Sequence, residues 1–334
     1  MKLKTTFLVA ALMAFAFTAQ AVTIDLVPVG DPGNANDTES GYGGVDYTYL
    51  IGKYEITAGQ YTEFLNKVAG VDTYGLYNLN MSNTSSGSGI TRSGGGTIDN
   101  PYTYSVEADF LNRPVNWVSW GDATRFTNWL QNNQPTGAQG LSTTEDGAYY
   151  LNGATNSIDL MAVADHKAGA NYWIPSENEW YKAAYYKSGS TNAGYWLYPT
   201  QSNSPPGQDM SEATNAGNNA NYYTAPYVYP IDSGHYTTVV GQFHLSNSPY
   251  GTFDQGGNVW EWNETAVTSS YRGLRGGTFM YDSNYMIASN CYVYDPMYEW
   301  SDFGFRVAYV PEPGSIMLLV CGAIAGLIWW KRRK

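Results

Sequence analysis

The densest chemistry in the chain lies between Phe253 and Trp262, which reads Phe-Asp-Gln-Gly-Gly-Asn-Val-Trp-Glu-Trp. This run brings the oxygen-bearing side chains of Asp254, Asn258 and Glu261 together with paired glycines and two tryptophans. Adjacent glycines admit positive φ, so the backbone can turn its carbonyls toward one point. Carboxylate, amide and carbonyl oxygens gathered in this way suit a hard cation such as Ca²⁺. The same residues also suit a tight turn, in which the polar groups cap backbone and the tryptophans fill a core.

Other chemistry is sparse. The histidines are His166, His235 and His244, and no two have the spacing that puts a pair of ligands on one helix face. Each is expected at a solvated loop position rather than as a metal ligand. The cysteines are Cys291 and Cys321, and Cys321 lies in an apolar C-terminal stretch, so Cys291 is expected as a lone thiol without an internal disulfide. There is no Cys-x-x-Cys pair, phosphate loop or nucleophile elbow.

These residues need elements to position them. Thr57 with Gln60 three residues on marks a helix start, and Tyr61, Phe64, Leu65 and Val68 share its inner face to about Ala69. A second helix is predicted from Ser119 to about Leu130, with Ala123, Phe126, Trp129 and Leu130 inward. Ser176 and Glu179 form a capping box for a third, so Glu179 is read as a cap. Tyr47–Ile56 alternates and reads as a strand. The Ser/Gly/Asn-rich stretch from Asn80 to Thr97 reads as a flexible surface loop, and Ser188–Gly217 as an irregular wrap. No internal repeat or linker divides the body, so one domain is expected over 22–309.

Aromatic residues make up 16% of the 334-residue chain and charged residues only 14%, a composition of aromatic-packed extracellular folds. The formal charge is −12, and setting aside the basic ends leaves about −17 on the part between. Such a surface repels nucleic acid and anionic membrane and tolerates divalent cations. At the N-terminus, Lys2 and Lys4 precede an apolar run and Ala19-Gln20-Ala21, the pattern of an export signal over 1–21. At the other end, over 310–334, Pro311-Glu312-Pro313 precedes an apolar span at 314–330 and a basic tail, Lys331-Arg332-Arg333-Lys334. That end resembles the PEP-CTERM sorting signal of Gram-negative bacteria. The resemblance implies recognition by an exosortase, membrane attachment through the span before sorting, and delivery to the cell envelope or surface.

A set of blocks in one order carries a wider resemblance. Tyr54-Glu55-Ile56-Thr57 is followed by Arg113-Pro114-Val115-Asn116-Trp117-Val118-Ser119-Trp120 and by Ile174-Pro175-Ser176-Glu177-Asn178-Glu179-Trp180. Gly257-Asn258-Val259-Trp260-Glu261-Trp262, Leu274-Arg275-Gly276-Gly277-Thr278-Phe279 and Gly304-Phe305-Arg306 complete it. Together they resemble the formylglycine-generating, or sulfatase-modifying factor, family. The resemblance implies an α+β, loop-rich fold, an elaborated C-type-lectin-like body with small antiparallel sheets and a few helices. It implies two calcium sites, one from Asn221, Tyr222, Asp232 and Gly234, the other from Asp254, Gly257, Val259 and Glu261. The family oxidises a peptide cysteine to formylglycine with O₂, at a copper held by two cysteines. Cys291 falls on the second of these positions, but Met286 stands at the first. Two readings follow: a calcium-braced binding or matrix module that meets extracellular polysaccharide or a protein ligand, or a formylglycine-generating oxidoreductase.

Overall fold

The computed structural model describes residues 21–224 and 230–311. Nearly all of the export signal and of the sorting segment, including the span at 314–330, lies outside them. Among the described residues no helix is long and apolar enough to cross a membrane.

The elements run β1 (Leu26–Val29), β2 (Tyr49–Gly52), α1 (Ala58–Val68), β3 (Ile90–Ser93), β4 (Thr103–Val106), α2 (Trp120–Gln131), α3 (Ser157–Met161) and β5 (Tyr172–Trp173). They continue with α4 (Glu177–Tyr185), β6 (Trp260–Ala266), β7 (Arg272–Arg275), β8 (Tyr292–Tyr294), β9 (Phe303–Phe305) and β10 (Ala308–Tyr309). One antiparallel sheet has the order β1-β2-β10-β5, and a second has the order β8-β7-β6-β9. In the second, β6 and β9 pair in parallel while the other pairs are antiparallel. Long stretches between these short elements are irregular, as expected of a loop-rich α+β body.

The helices form where their caps stand. Thr57, Ser119 and Ser176 each accept from the backbone N–H three residues on, and Gln60, Asp122 and Glu179 answer the cap residue's own N–H. Two orphan donors are satisfied at each start. The predicted faces of α1 and α2 then meet in one aromatic core, with Phe64 against Phe126 at 5.3 Å and against Trp129 at 5.2 Å between centroids. Trp260 and Trp262 enter the same core from β6.

Successive strand residues face opposite ways. Between Trp260 and Trp262 in β6, Glu261 therefore turns to the other face, where it meets Trp180 of α4. Asn263 likewise reaches Glu177 of α4, which also holds Arg275 of β7. The second sheet is thus buried on both sides, by an apolar core on one and by charged pairs under α4 on the other.

Two expectations need correction. The Asn80–Thr97 stretch is not a featureless loop: Leu79–Ser82 is a 3-10 turn, and Ile90–Ser93 pairs with β4, with Ile90 fully buried. The tyrosine hydroxyl of Tyr77 donates to the Ile90 carbonyl at 2.9 Å and fixes that strand. The strand expected over Tyr47–Ile56 is only four residues long: the Lys53 N–H makes a last in-register bond to the Asp25 carbonyl, and the Lys53 carbonyl then turns to the Phe253 N–H.

Candidate functional site

Asp254 (φ 59°), Gly257 (φ 85°) and Asn258 (φ 63°) all take the left-handed backbone region, which winds 254–259 into a tight turn. Gly257 has no alternative, since a Cβ there would lie 2.2 Å from the Asn221 carbonyl oxygen. That close approach lets the Asn258 N–H donate to Asn221 O at 2.8 Å. The Asn258 amide then ties three distant segments. Its Nδ2 donates to Glu55 Oε1 at 3.1 Å, and its Oδ1 accepts from Thr238 N at 2.9 Å and from Asn221 Nδ2 at 3.2 Å. Asn258 acts here as a structural hub, the capping alternative read from the sequence.

Glu261 lies on the same side of the turn. Both its oxygens meet the guanidinium of Arg306, at 2.5 and 2.6 Å, and Oε2 also accepts from Trp180 Nε1 at 2.7 Å. The remaining Arg306 donors reach the carbonyls of Gly52 and Phe253. Asp254 uses Oδ2 to accept from Gly241 N at 2.5 Å. Glu55, Asp254 and Glu261 therefore share one buried neighbourhood in which Arg306 is the cation. The excess of acid shows in the carboxyls. Burial, then the charges of Asp254 and Glu261, push Glu55 well above its usual range; burial holds Asp254 at about 6.

For the site expected from Asp254, Gly257, Val259 and Glu261, the donor types fit a hard cation. Gly257 and Val259 are buried, and their carbonyls accept none of the hydrogen bonds found between described residues. An added positive charge would offset the surplus carboxylate. The set leans on backbone oxygen, because among the described residues no three His, Cys, Asp or Glu side chains converge as a metal cluster. In the other expected set, each residue has its own neighbours. Asn221 belongs to the Asn258 hub, with its Oδ1 buried and unpartnered. The Tyr222 carbonyl accepts from Gln208, Asp232 pairs with Arg113 at 2.6 Å, and Gly234 sits in the turn from Asp232 to His235.

The two sulfurs have different surroundings. Met286 is fully buried and packs with Tyr198, Ala220 and Tyr222. Cys291 is half-buried and free, and its Sγ faces the Tyr292 carbonyl at 3.6 Å. Burial, then the charge of Glu177, pushes the thiol up to about 11. A neutral thiol and a buried thioether do not fit a two-thiolate Cu(I) centre.

The histidines depart from expectation in part. His244 is exposed beside Glu212, as read from the sequence. His166 instead stacks on Trp173 at 4.4 Å and bonds Glu264 at 2.8 Å, and His235 packs edge-on against Phe110. These ring contacts leave both histidines half-buried rather than fully solvated. Sequence reading also gave Glu55 and Arg306 no role. The available signal was an acid inside the apolar run Tyr54-Glu55-Ile56 and an arginine directly after Phe305 in a buried strand.

Residues 42–310 match the model of the sulfatase-modifying factor enzyme 1-like domain. The chain belongs to that family. Among solved structures it resembles the Treponema denticola variable protein 1, at 19% identity and a TM-score of 0.54, over 88% of this chain and 98% of that one. It also resembles CarF, at 20% identity and a TM-score of 0.50, over 86% of this chain and 99% of that one. At these identities the likeness is one of fold. No curated protein matches the chain.

Proposed function

We propose that this chain is an exported, calcium-braced binding module of the sulfatase-modifying factor family in which the oxidase centre has been lost. The observation that carries the reading is Met286, a buried thioether at the first sulfur position, with a Cys291 thiol pushed up to about 11 at the second. The calcium part is supported by the surplus of carboxylate around Arg306 and by the buried Gly257 and Val259 carbonyls. The binding part is supported by a surface run of Met297, Tyr298 and Trp300, each 43–46% exposed, with Trp300 beside the Trp117 ring. Large exposed aromatic side chains of this kind mark contact surfaces. An extracellular polysaccharide or a protein partner is the expected ligand. Export by 1–21 and exosortase sorting through 310–334 place such a module at the cell envelope of a Gram-negative bacterium.

The test is to load the purified protein with Cu(I) and follow O₂-dependent oxidation of a cysteine peptide. Neither stoichiometric copper binding nor turnover is expected. Turnover that disappears in Cys291→Ser would restore the oxidoreductase reading.

A further inference from the structure

The residues that follow the expected export signal are firmly held. Val22 has both backbone groups gripped by one side chain: its N–H donates to Gln134 Oε1 at 2.7 Å, and Gln134 Nε2 donates to its carbonyl at 2.8 Å. The Thr23 carbonyl accepts from Gln60 Nε2 at 2.9 Å, and the Asp25 carbonyl accepts from the Lys53 N–H at 2.7 Å as β1 begins to pair. The half-buried side chains of Val22 and Ile24 pack against the main core, while Ala21 is exposed. The grip is in place from Val22 on, directly after the Ala19-Gln20-Ala21 pattern at which a signal is cut.

Gln134 is the informative residue. It lies in the turn after α2, where Asn133 (φ 63°) and Gln134 (φ 57°) both take the left-handed backbone region, and its own N–H donates to the Trp129 carbonyl at 2.8 Å. Two consecutive non-glycine residues in that region are strained, and such strain collects where a structure clamps something. The cavity of about 890 Å³ beside Val22 has charged lining of one sign: Asp25, Glu55 and Glu63 contribute carboxyls, and among the described residues no lysine, arginine or histidine lines it. Asp25 and Glu63 are exposed at its rim.

We propose that Gln134 is the receptor for the protein's own mature N-terminus, Val22. The inference rests on the export reading of 1–21. A leader peptidase adds water across the Ala21–Val22 peptide bond, which leaves a carboxylate on Ala21 and an α-ammonium on Val22. The ammonium keeps the hydrogen bond to Gln134 Oε1, now charge-assisted and stronger than that of the amide. It also brings a positive charge to an acidic rim. An order of events follows. A peptidase needs the chain extended through its active site, and docked Val22 has neither backbone group to offer. Cutting therefore precedes docking, and a chain that folds uncut is shielded except through local opening.

The test offers the full-length uncut chain, either folded or freshly diluted from urea, to a purified leader peptidase, and follows the cut by mass spectrometry. Cutting after Ala21 is expected at least tenfold faster from the unfolded chain. Gln134→Ala should raise the rate on the folded chain at least tenfold by freeing Val22. In the cut protein the same substitution should lower Tm by about 2–4 °C, and by less in the uncut chain, where Val22 offers only an amide. If Gln134→Ala does not fold, by circular dichroism, the folded and unfolded rates of the unaltered chain carry the test. Equal rates from the two forms, or a folded Gln134→Ala whose Tm or cutting rate is unchanged, would overturn the docking and leave the export reading intact. No cut in either form, or a mature N-terminus other than Val22 on protein recovered from the cell envelope, would overturn both.

Discussion

Arg306 is the counter-charge to two buried acids, Glu55 and Glu261, and to half-buried Asp254. Removing one partner of a buried pair leaves the other charge uncompensated, which costs about 3–5 kcal/mol. Arg306→Leu should therefore lower stability by about that amount in urea unfolding, far more than a surface arginine would. Asp122 and Glu299 form a second pair of carboxyls, hydrogen-bonded to each other, and Asn78 also donates to Glu299. Burial first, and then Asp122, push Glu299 up to about 9 from an ordinary 4.5. The folded state then holds a proton that the unfolded state releases above pH 4.5. The stability this gives is full below that pH and is lost as pH rises through about 9. Glu299→Gln should flatten the fall in Tm across that window, measured by calorimetry at several pH values. An unchanged slope would show that the pair does not share a proton.

At the scale of elements, the helix starts carry weight that their sequence signature announces. Ser176→Ala should cost about 1 kcal/mol, the usual value of an N-cap. Glu179→Ala should cost more. Besides capping Ser176, its carboxylate accepts from Tyr47 Oη at 2.8 Å and from buried Trp173 Nε1 at 3.0 Å. Orphaning a buried donor adds about 1–3 kcal/mol. Equal losses for the two variants, by thermal or urea unfolding, would mean that only the cap matters. Capping boxes are legible because cap and responder are three residues apart. The β3–β4 hairpin was not, since its partners are joined through a link that opens on three glycines and its anchors come from elsewhere. Gly94 shows the point: a Cβ there would meet the Pro101 carbonyl at 2.2 Å, so its glycine serves a close turn rather than looseness.

For the molecule as a whole, charge and irregular backbone bear on each other. A body carrying a large excess of acid, with long unpaired connections, gains stability from any cation that binds the folded form alone. At a concentration of about 100 times its Kd such a ligand adds about 2.7 kcal/mol. Calcium should accordingly raise Tm in a concentration-dependent way and chelation should reverse it, while Asp254→Ala should abolish the shift. A Tm indifferent to calcium would remove the cation from the proposal and leave Arg306 as the sole counter-charge of the centre.

The order of the family blocks, the three capped helices and the inward aromatic faces could all be read along the chain. Each rests on residues a few positions apart, where helix and strand geometry translate spacing directly into direction. The neighbours of Glu261 could not be read in this way. Trp180, Arg306 and the 254–259 turn come together from segments tens of residues apart, and only folding decides that a guanidinium stands between carboxylates. The same holds for the two sulfurs: Met286 and Cys291 are five residues apart in sequence, yet a 3-10 turn at Ser283–Met286 buries one against Tyr198 and Tyr222 while the other reaches the surroundings of Glu177. Local rules fix which elements form; which side chains share a neighbourhood is fixed by long-range packing.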